Sequence, residues 1–133
     1  MARYTIDAVT LLHVFDQELR LDPQHQLVAP SAVRSDVLQL LLSDVRRGGR
    51  SEKDARVVHG WVTELKMRVL GDRMSRGTAW RVALEQGWDE LRPAEYVAVT
   101  RLQADALVTA DPELRATVEG LVALAPVEVL TLR

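Results

Sequence analysis

Short apolar runs alternate along this chain with longer stretches whose apolar positions recur at helical spacing. Tyr4-Thr5-Ile6 reads as a buried strand that stops at Asp7, and Ala8–Phe15, with Val9, Leu11, Leu12 and Phe15, reads as a helix directly after it. Asp22-Pro23-Gln24 marks a loop, and Leu27-Val28-Ala29 a second strand ended by Pro30. Ser31 is the expected N-cap of a helix with Val33, Val37, Leu38, Leu41, Leu42 and Val45 on its apolar face, closed by Gly48-Gly49. Ser51-Glu52 opens another helix through Val57, Val58, Trp61, Val62 and Leu65. Met67–Leu70 has strand character and is followed by a Gly71-Asp72 turn.

Ser75–Gln86, with Trp80, Val82, Ala83 and Leu84, is a further helix ended by Gly87. Pro93 then starts a helix through Tyr96, Val97, Val99 and Leu102. Ala106–Thr109 reads as a strand, with Asp111-Pro112 opening the next helix. The last strand falls at Leu121–Leu124 or at Val127–Leu130. Strands this short between helices of ten or more residues imply an α/β fold, a parallel sheet covered on both faces in three layers. No repeat, low-complexity stretch or linker interrupts the pattern, so one domain over residues 1–133 is expected.

Composition narrows the chemistry. With 47% hydrophobic and 27% charged residues the chain has ordinary globular usage. It contains no cysteine, which excludes disulfides, zinc–thiolate sites and thiol nucleophiles. The 17 basic and 19 acidic residues give a formal net charge of −2, so nucleic acid would have to be met by a local basic patch. Lys53 and Lys66 are the only lysines, leaving arginine, the better phosphate fork, to dominate. No run approaches the ~18 apolar residues of a membrane span. The N-terminus enters a strand at once without space for a signal peptide, and a cytoplasmic location is expected.

In a parallel α/β sheet function gathers at the carboxyl ends of the strands. Asp7 and Asp111 fall there, and Asp36 lies one turn into the helix after the second strand. Val33 and Leu40 are its neighbours at i−3 and i+4, so its carboxylate borders the buried face. Carboxylates brought together raise one another's pKa, and a hard cation with a preference for oxygen relieves the repulsion. Each acid also has a structural reading. Asp111 in Asp-Pro-Glu-Leu is a good N-cap, Asp7 stands before a helix, and Asp36 has Arg34 and Arg46 as surface partners. The set of three at equivalent topological places favours the site.

The segments 4–12, 29–38, 95–100 and 106–114 together resemble the PIN-domain family of VapC-type toxin nucleases, in order and spacing over nearly the whole chain. The resemblance implies a three-layer α/β/α PIN-like domain with a sheet of four to five parallel strands. It implies an acidic cluster binding Mg²⁺ or Mn²⁺ and metal-dependent endoribonuclease activity, often as the toxin of a toxin–antitoxin pair. Asp7 matches the family's first acid and Asp111 its last, while Asp36 stands where glutamate is usual. The third acid is missing: the common Asp-Ala-x-Tyr is here Pro93-Ala94-Glu95-Tyr96. Glu95, two residues on and about 200° around a helix, is the possible substitute, with Asp89 and Glu90 in the preceding loop. RNA as substrate, an antitoxin protein and a homodimer are the partners the family implies.

Outside these segments the signals are weaker. Arg46, Arg47 and Arg50 flank the Gly48-Gly49 turn with Lys53 and Arg56, and read first as a solvated corner and second as an RNA-contacting patch. His13, His25 and His59 lack metal-ligand spacing. No glycine-rich nucleotide loop or nucleophile elbow is present. A catalytically weakened PIN domain that binds RNA or protein without cutting is the alternative to an active ribonuclease.

Overall fold

A computed structural model describes residues 1–132. Five parallel strands, β1 (Arg3–Ile6), β2 (Gln26–Pro30), β3 (Arg68–Leu70), β4 (Ala106–Val108) and β5 (Leu124–Ala125), lie in the order β3-β2-β1-β4-β5. Tyr4, Thr5 and Ile6 of β1 register with Ala106, Leu107 and Val108 of β4. All three β4 residues are buried, as continuous apolar strands in a covered parallel sheet must be.

Six helices connect the strands: α1 (Ala8–Asp16), α2 (Val33–Arg46), α3 (Glu52–Glu64), α4 (Arg73–Gln86), α5 (Arg92–Gln103) and α6 (Pro112–Val118). Alternation along the strands sorts the core into two halves. Ile6, Leu27, Ala29 and Val108 pack with Leu11, Val33, Val37, Val58 and Val62 from α1–α3. On the opposite face Leu107 packs with Ala79, Val82, Val97 and Val118 from α4–α6. Thr5 also points that way, its hydroxyl 2.9 Å from that of Thr100 on α5.

The chain builds outward from β1 to β3 and then returns to lay β4 on the other side of β1. That reversal opens a crevice beyond the carboxyl ends of β1 and β4, the place where open α/β sheets bind ligands.

Local chemistry accounts for most element ends. Asp72 caps α4 through the Ser75 amide at 3.1 Å, so the helix starts ahead of the expected Ser75. Gly87 ends it in the left-handed region at φ 69°. Ser51 caps α3 as expected. Ser31 does not cap α2: the preceding turn enters at Ala32 in the helical region. The Ser31 amide instead donates to the Leu70 carbonyl at 2.9 Å. Its side chain packs so closely on Gly71 that a Cβ there would sit 2.4 Å from Oγ.

The last strand is Leu124–Ala125 alone, two residues long, because Pro126 follows and Val127–Leu130 winds into a 3₁₀ turn. Periodicity also overstated some apolar faces. Leu38, Leu42, Val57, Leu84 and Trp80 are exposed, Trp80 at 61%.

Candidate acidic site

Asp7 follows β1 directly and its extended backbone, at φ −104° and ψ 173°, places its carboxylate over the start of α1. Oδ1 accepts from the Thr10 amide at 3.2 Å and from the Thr10 hydroxyl. Oδ2 accepts from the Thr109 hydroxyl, just past β4, at 2.9 Å. The two threonines carry the connection further. Thr10 Oγ1 accepts from the Ala110 amide at 2.8 Å, and Thr109 Oγ1 from the Asp111 amide at 3.0 Å. Asp7 thus laces together the loops that follow β1 and β4. It is only 4% exposed, and burial pushes its carboxyl above the ordinary 3.8, against the hydrogen bonds from Thr10 and Thr109 and with a further push from Asp111.

Asp111 is the N-cap of α6, accepting from the Glu113 amide at 3.0 Å, so its structural reading is borne out by the geometry. Capping engages one carboxylate oxygen, and the side chain still lines the same cleft as Asp7. Asp36, from the first turn of α2, reaches this cleft from the opposite wall. Its partner is neither Arg34 nor Arg46 but Arg92, at the start of α5: Nε lies 2.9 Å from Oδ2 and Nη2 3.2 Å from Oδ1. Nη1 of the same guanidinium bonds Glu95. Burial works against the Arg92 charge, but Asp36 and Glu95 outweigh it and hold the guanidinium above its usual pKa.

Tyr96 completes the floor of the cleft. Burial first, then the charges of Asp7 and Asp36, push its phenol far up, so it stays a neutral donor near both acids.

The cleft holds ≈ 680 Å³ and is lined by Asp7, Asp36, Arg92, Pro93, Tyr96 and Asp111, with Asp89, Glu90 and Glu113 also on its wall. Three predicted acids therefore share one cleft. Glu95 does not join them: it lines a separate depression with Pro30, Ser31, Leu70 and Val99, as its angular offset from Pro93 required. Among the described residues no three acidic or histidine side chains stand close enough together to hold one metal ion. Both oxygens of Asp36 are turned to Arg92. Asp7 and Asp111 remain close enough to repel, all-oxygen donors of the kind Mg²⁺ and Mn²⁺ take. A cation held by those two side chains fits this donor set.

At the level of sequence, no family model and no curated protein matches the chain. Solved structures do. PAE2754 from Pyrobaculum aerophilum is 25% identical and superposes with a TM-score of 0.70 over 96% of this chain and 91% of that one. VapBC-1 from nontypeable Haemophilus influenzae, 12% identical, gives 0.63 over 95% and 98%. VapBC2 from Rickettsia felis, solved bound to a DNA fragment from its promoter and also 12% identical, gives 0.53 over 93% and 98%. The fold is PIN-like. Its α/β sheet of five parallel strands is the one the sequence led us to expect. The likeness to the two VapBC structures, each 12% identical, bears on the fold alone.

Three residues of the site escaped sequence reading. Arg92 looked like a loop residue before Pro93, and nothing local tied it to Asp36, which lies 56 positions away. Thr10 and Thr109 carried no signal beyond their strand and helix positions. The arginine corner is corrected as well. Arg50 is only 11% exposed and is held by Asp16 at 2.8 Å, Asp54 at 2.6 Å and Asp44 at 3.4 Å. Its fork joins α1, α2 and α3 and is not free for phosphate. Arg47 pairs with Asp44, and Arg46 lies exposed beside the α2–α3 groove. No helix among the described residues is long and apolar enough to cross a membrane.

Proposed function

We propose that this chain is a divalent-cation-dependent endoribonuclease of PIN type, the toxin of a toxin–antitoxin pair, acting in the cytoplasm. The observation that carries the reading is the meeting of Asp7 and Asp111 in the crevice between β1 and β4, where burial and mutual repulsion already favour a bound positive charge. Asp7 and Asp111 would hold Mg²⁺ or Mn²⁺. The cation supplies Lewis-acid polarisation of a phosphodiester and a bound water of lowered pKa.

The remaining work falls to the chain's own groups. Thr10 and Thr109 fix the Asp7 carboxylate. Tyr96, its phenol held neutral by burial, lines the cleft near Asp7 and Asp36. Asp36, once free of Arg92, serves as a further ligand or as a base for the attacking water. An antitoxin covering the acidic cleft, for which the likeness to VapBC structures speaks, and association of two copies belong to the same reading.

A second reading, a weakened PIN domain that binds RNA or protein without cutting, is favoured by two observations. Pro93 offers no carboxylate, and Asp36 is engaged by an internal arginine.

Purified protein incubated with a mixed RNA panel and Mn²⁺, Mg²⁺ or EDTA tests the proposal. The expected result is metal-dependent cleavage abolished in Asp7→Asn and in Asp111→Asn. Equal products from wild type and both variants would remove the nuclease reading, and metal-independent RNA retention without cleavage would establish the second.

A further inference from the structure

The cation reading of the cleft leaves its one internal positive charge without a role. Arg92 contacts two acids at once, Asp36 on α2 through Nε and Nη2 and Glu95 on its own helix through Nη1. Forked pairing to Asp36 engages both carboxylate oxygens, and the guanidinium stands where a dication approaching that carboxylate would meet a like charge. Glu95 opens onto a different depression, beside Ser31 and Leu70. Asp36 and Glu95 therefore lie on opposite sides of one guanidinium, which can give up the first acid without losing its last partner.

Resting on the reading of this cleft as a cation site, we propose that Arg92 is a built-in competitor for Asp36, which retires onto Glu95 when a divalent cation takes the Asp36 carboxylate. The competition sets the cation concentration at which the cleft loads. Three features support it. Arg92 is 44% exposed, so water eases its movement, unlike the buried fork of Arg50. Its link to Glu95 is an i, i+3 contact on α5 and survives the loss of Asp36. Pro93 fixes the helix start next to it and contributes no competing side-chain donor or acceptor.

A bland tie between α2 and α5 is the competing explanation, and the two predict different signs. A tie acts on the cation only through the charge of Arg92, so Arg92→Lys, which keeps that charge, would leave affinity at the wild-type value. A competitor makes removal of Arg92 and removal of Glu95 act in opposite directions, because Glu95 shares the guanidinium that Asp36 would otherwise hold alone.

Mn²⁺ titrations followed by calorimetry and by the electron paramagnetic resonance of free Mn²⁺ separate these cases in wild type, Arg92→Gln, Glu95→Gln and the double variant. Arg92→Gln is expected to bind Mn²⁺ roughly two- to fivefold tighter, as loss of one partly exposed fork implies. Glu95→Gln is expected to bind a few-fold weaker than wild type, and the double variant to match Arg92→Gln. Arg92→Lys, which keeps the charge and loses the fork, is expected in between and serves should the glutamine variant fold poorly. Unchanged affinity in Arg92→Gln and Arg92→Lys, with wild type still binding, would leave the cation site standing and overturn the competitor. Weakening by Glu95→Gln that persists without Arg92 would make Glu95 a ligand and also overturn it. Absence of Mn²⁺ binding in every variant would remove the cation reading and this proposal together.

Discussion

Replacing Asp7 by asparagine is expected to stabilise the protein in the absence of metal, against the usual outcome for a hydrogen-bonded buried residue. The carboxylate is 4% exposed, and burial outweighs its bonds from Thr10 and Thr109, so its pKa lies above 3.8. A folded-state pKa raised above the unfolded value means that its contribution to stability is fully present below pH 3.8 and is lost as pH rises through the folded value. Each tenfold preference for the neutral form amounts to about 1.4 kcal/mol.

Asparagine keeps an acceptor for Thr10 but sets an amide against the Thr109 hydroxyl, which also receives the Asp111 amide. That mismatch costs about 0.5–1.5 kcal/mol. Above pH 7 relief from burying a charge outweighs that mismatch, and the variant's Tm is expected to rise. Thermal unfolding between pH 3.5 and 8 reads the effect, whose advantage to asparagine should grow from pH 3.8 upward and then level off. Saturating Mn²⁺ should invert the ranking, since a ligand at 100 times its Kd adds about 2.7 kcal/mol to the wild type only. An Asp7→Asn variant that is less stable at pH 8 without metal would refute the reasoning and leave Asp7 as a structural lace between two loops.

Other consequences are testable with the same material. Arg50→Ala should cost about 1–2 kcal/mol in urea unfolding, less at high salt, because Asp16, Asp44 and Asp54 lose a shared fork but two of them stay well hydrated. A loss below 0.3 kcal/mol would show the hub to be decorative. Gly71→Ala should cost about 1–3 kcal/mol through contact with Ser31, and Ser31→Gly in the same chain should recover most of it. Failure of that rescue would place the strain elsewhere. Pro93→Asp, which adds a carboxylate at the cleft wall, should raise Mn²⁺ affinity and RNA turnover together. A gain in binding without turnover would point to the non-cutting reading.

What the sequence made legible was local in origin. β1 ending at Asp7, β4 followed by Asp111-Pro112, and the caps Ser51 and Gly87 are set by a few adjacent residues and appear where expected. The parallel sheet followed from alternation of short apolar runs with helical spacing, and that alternation also placed Asp7 and Asp111 at one end of it. Pairings across layers were hidden. Arg50 resembled a solvated charge because its partners Asp16 and Asp54 belong to different helices. Asp36 lacked its arginine because Arg92 enters from the far layer of the sheet. Ser31 looked like a cap because the demand of Gly71 for its space is a tertiary contact. Leu38 and Leu42 fit a helical stripe that is wider than the sheet it covers, and they remain at the surface.

A crystal soaked in Mn²⁺, with data collected at the manganese edge, would reveal whether Asp7 and Asp111 form a cation site at the β1–β4 crevice. An anomalous peak is expected against the carboxylates of Asp7 and Asp111, with the Arg92 guanidinium released from Asp36 and still held by Glu95. A cleft without anomalous density at saturating Mn²⁺, with Arg92 still forked on Asp36, would contradict it.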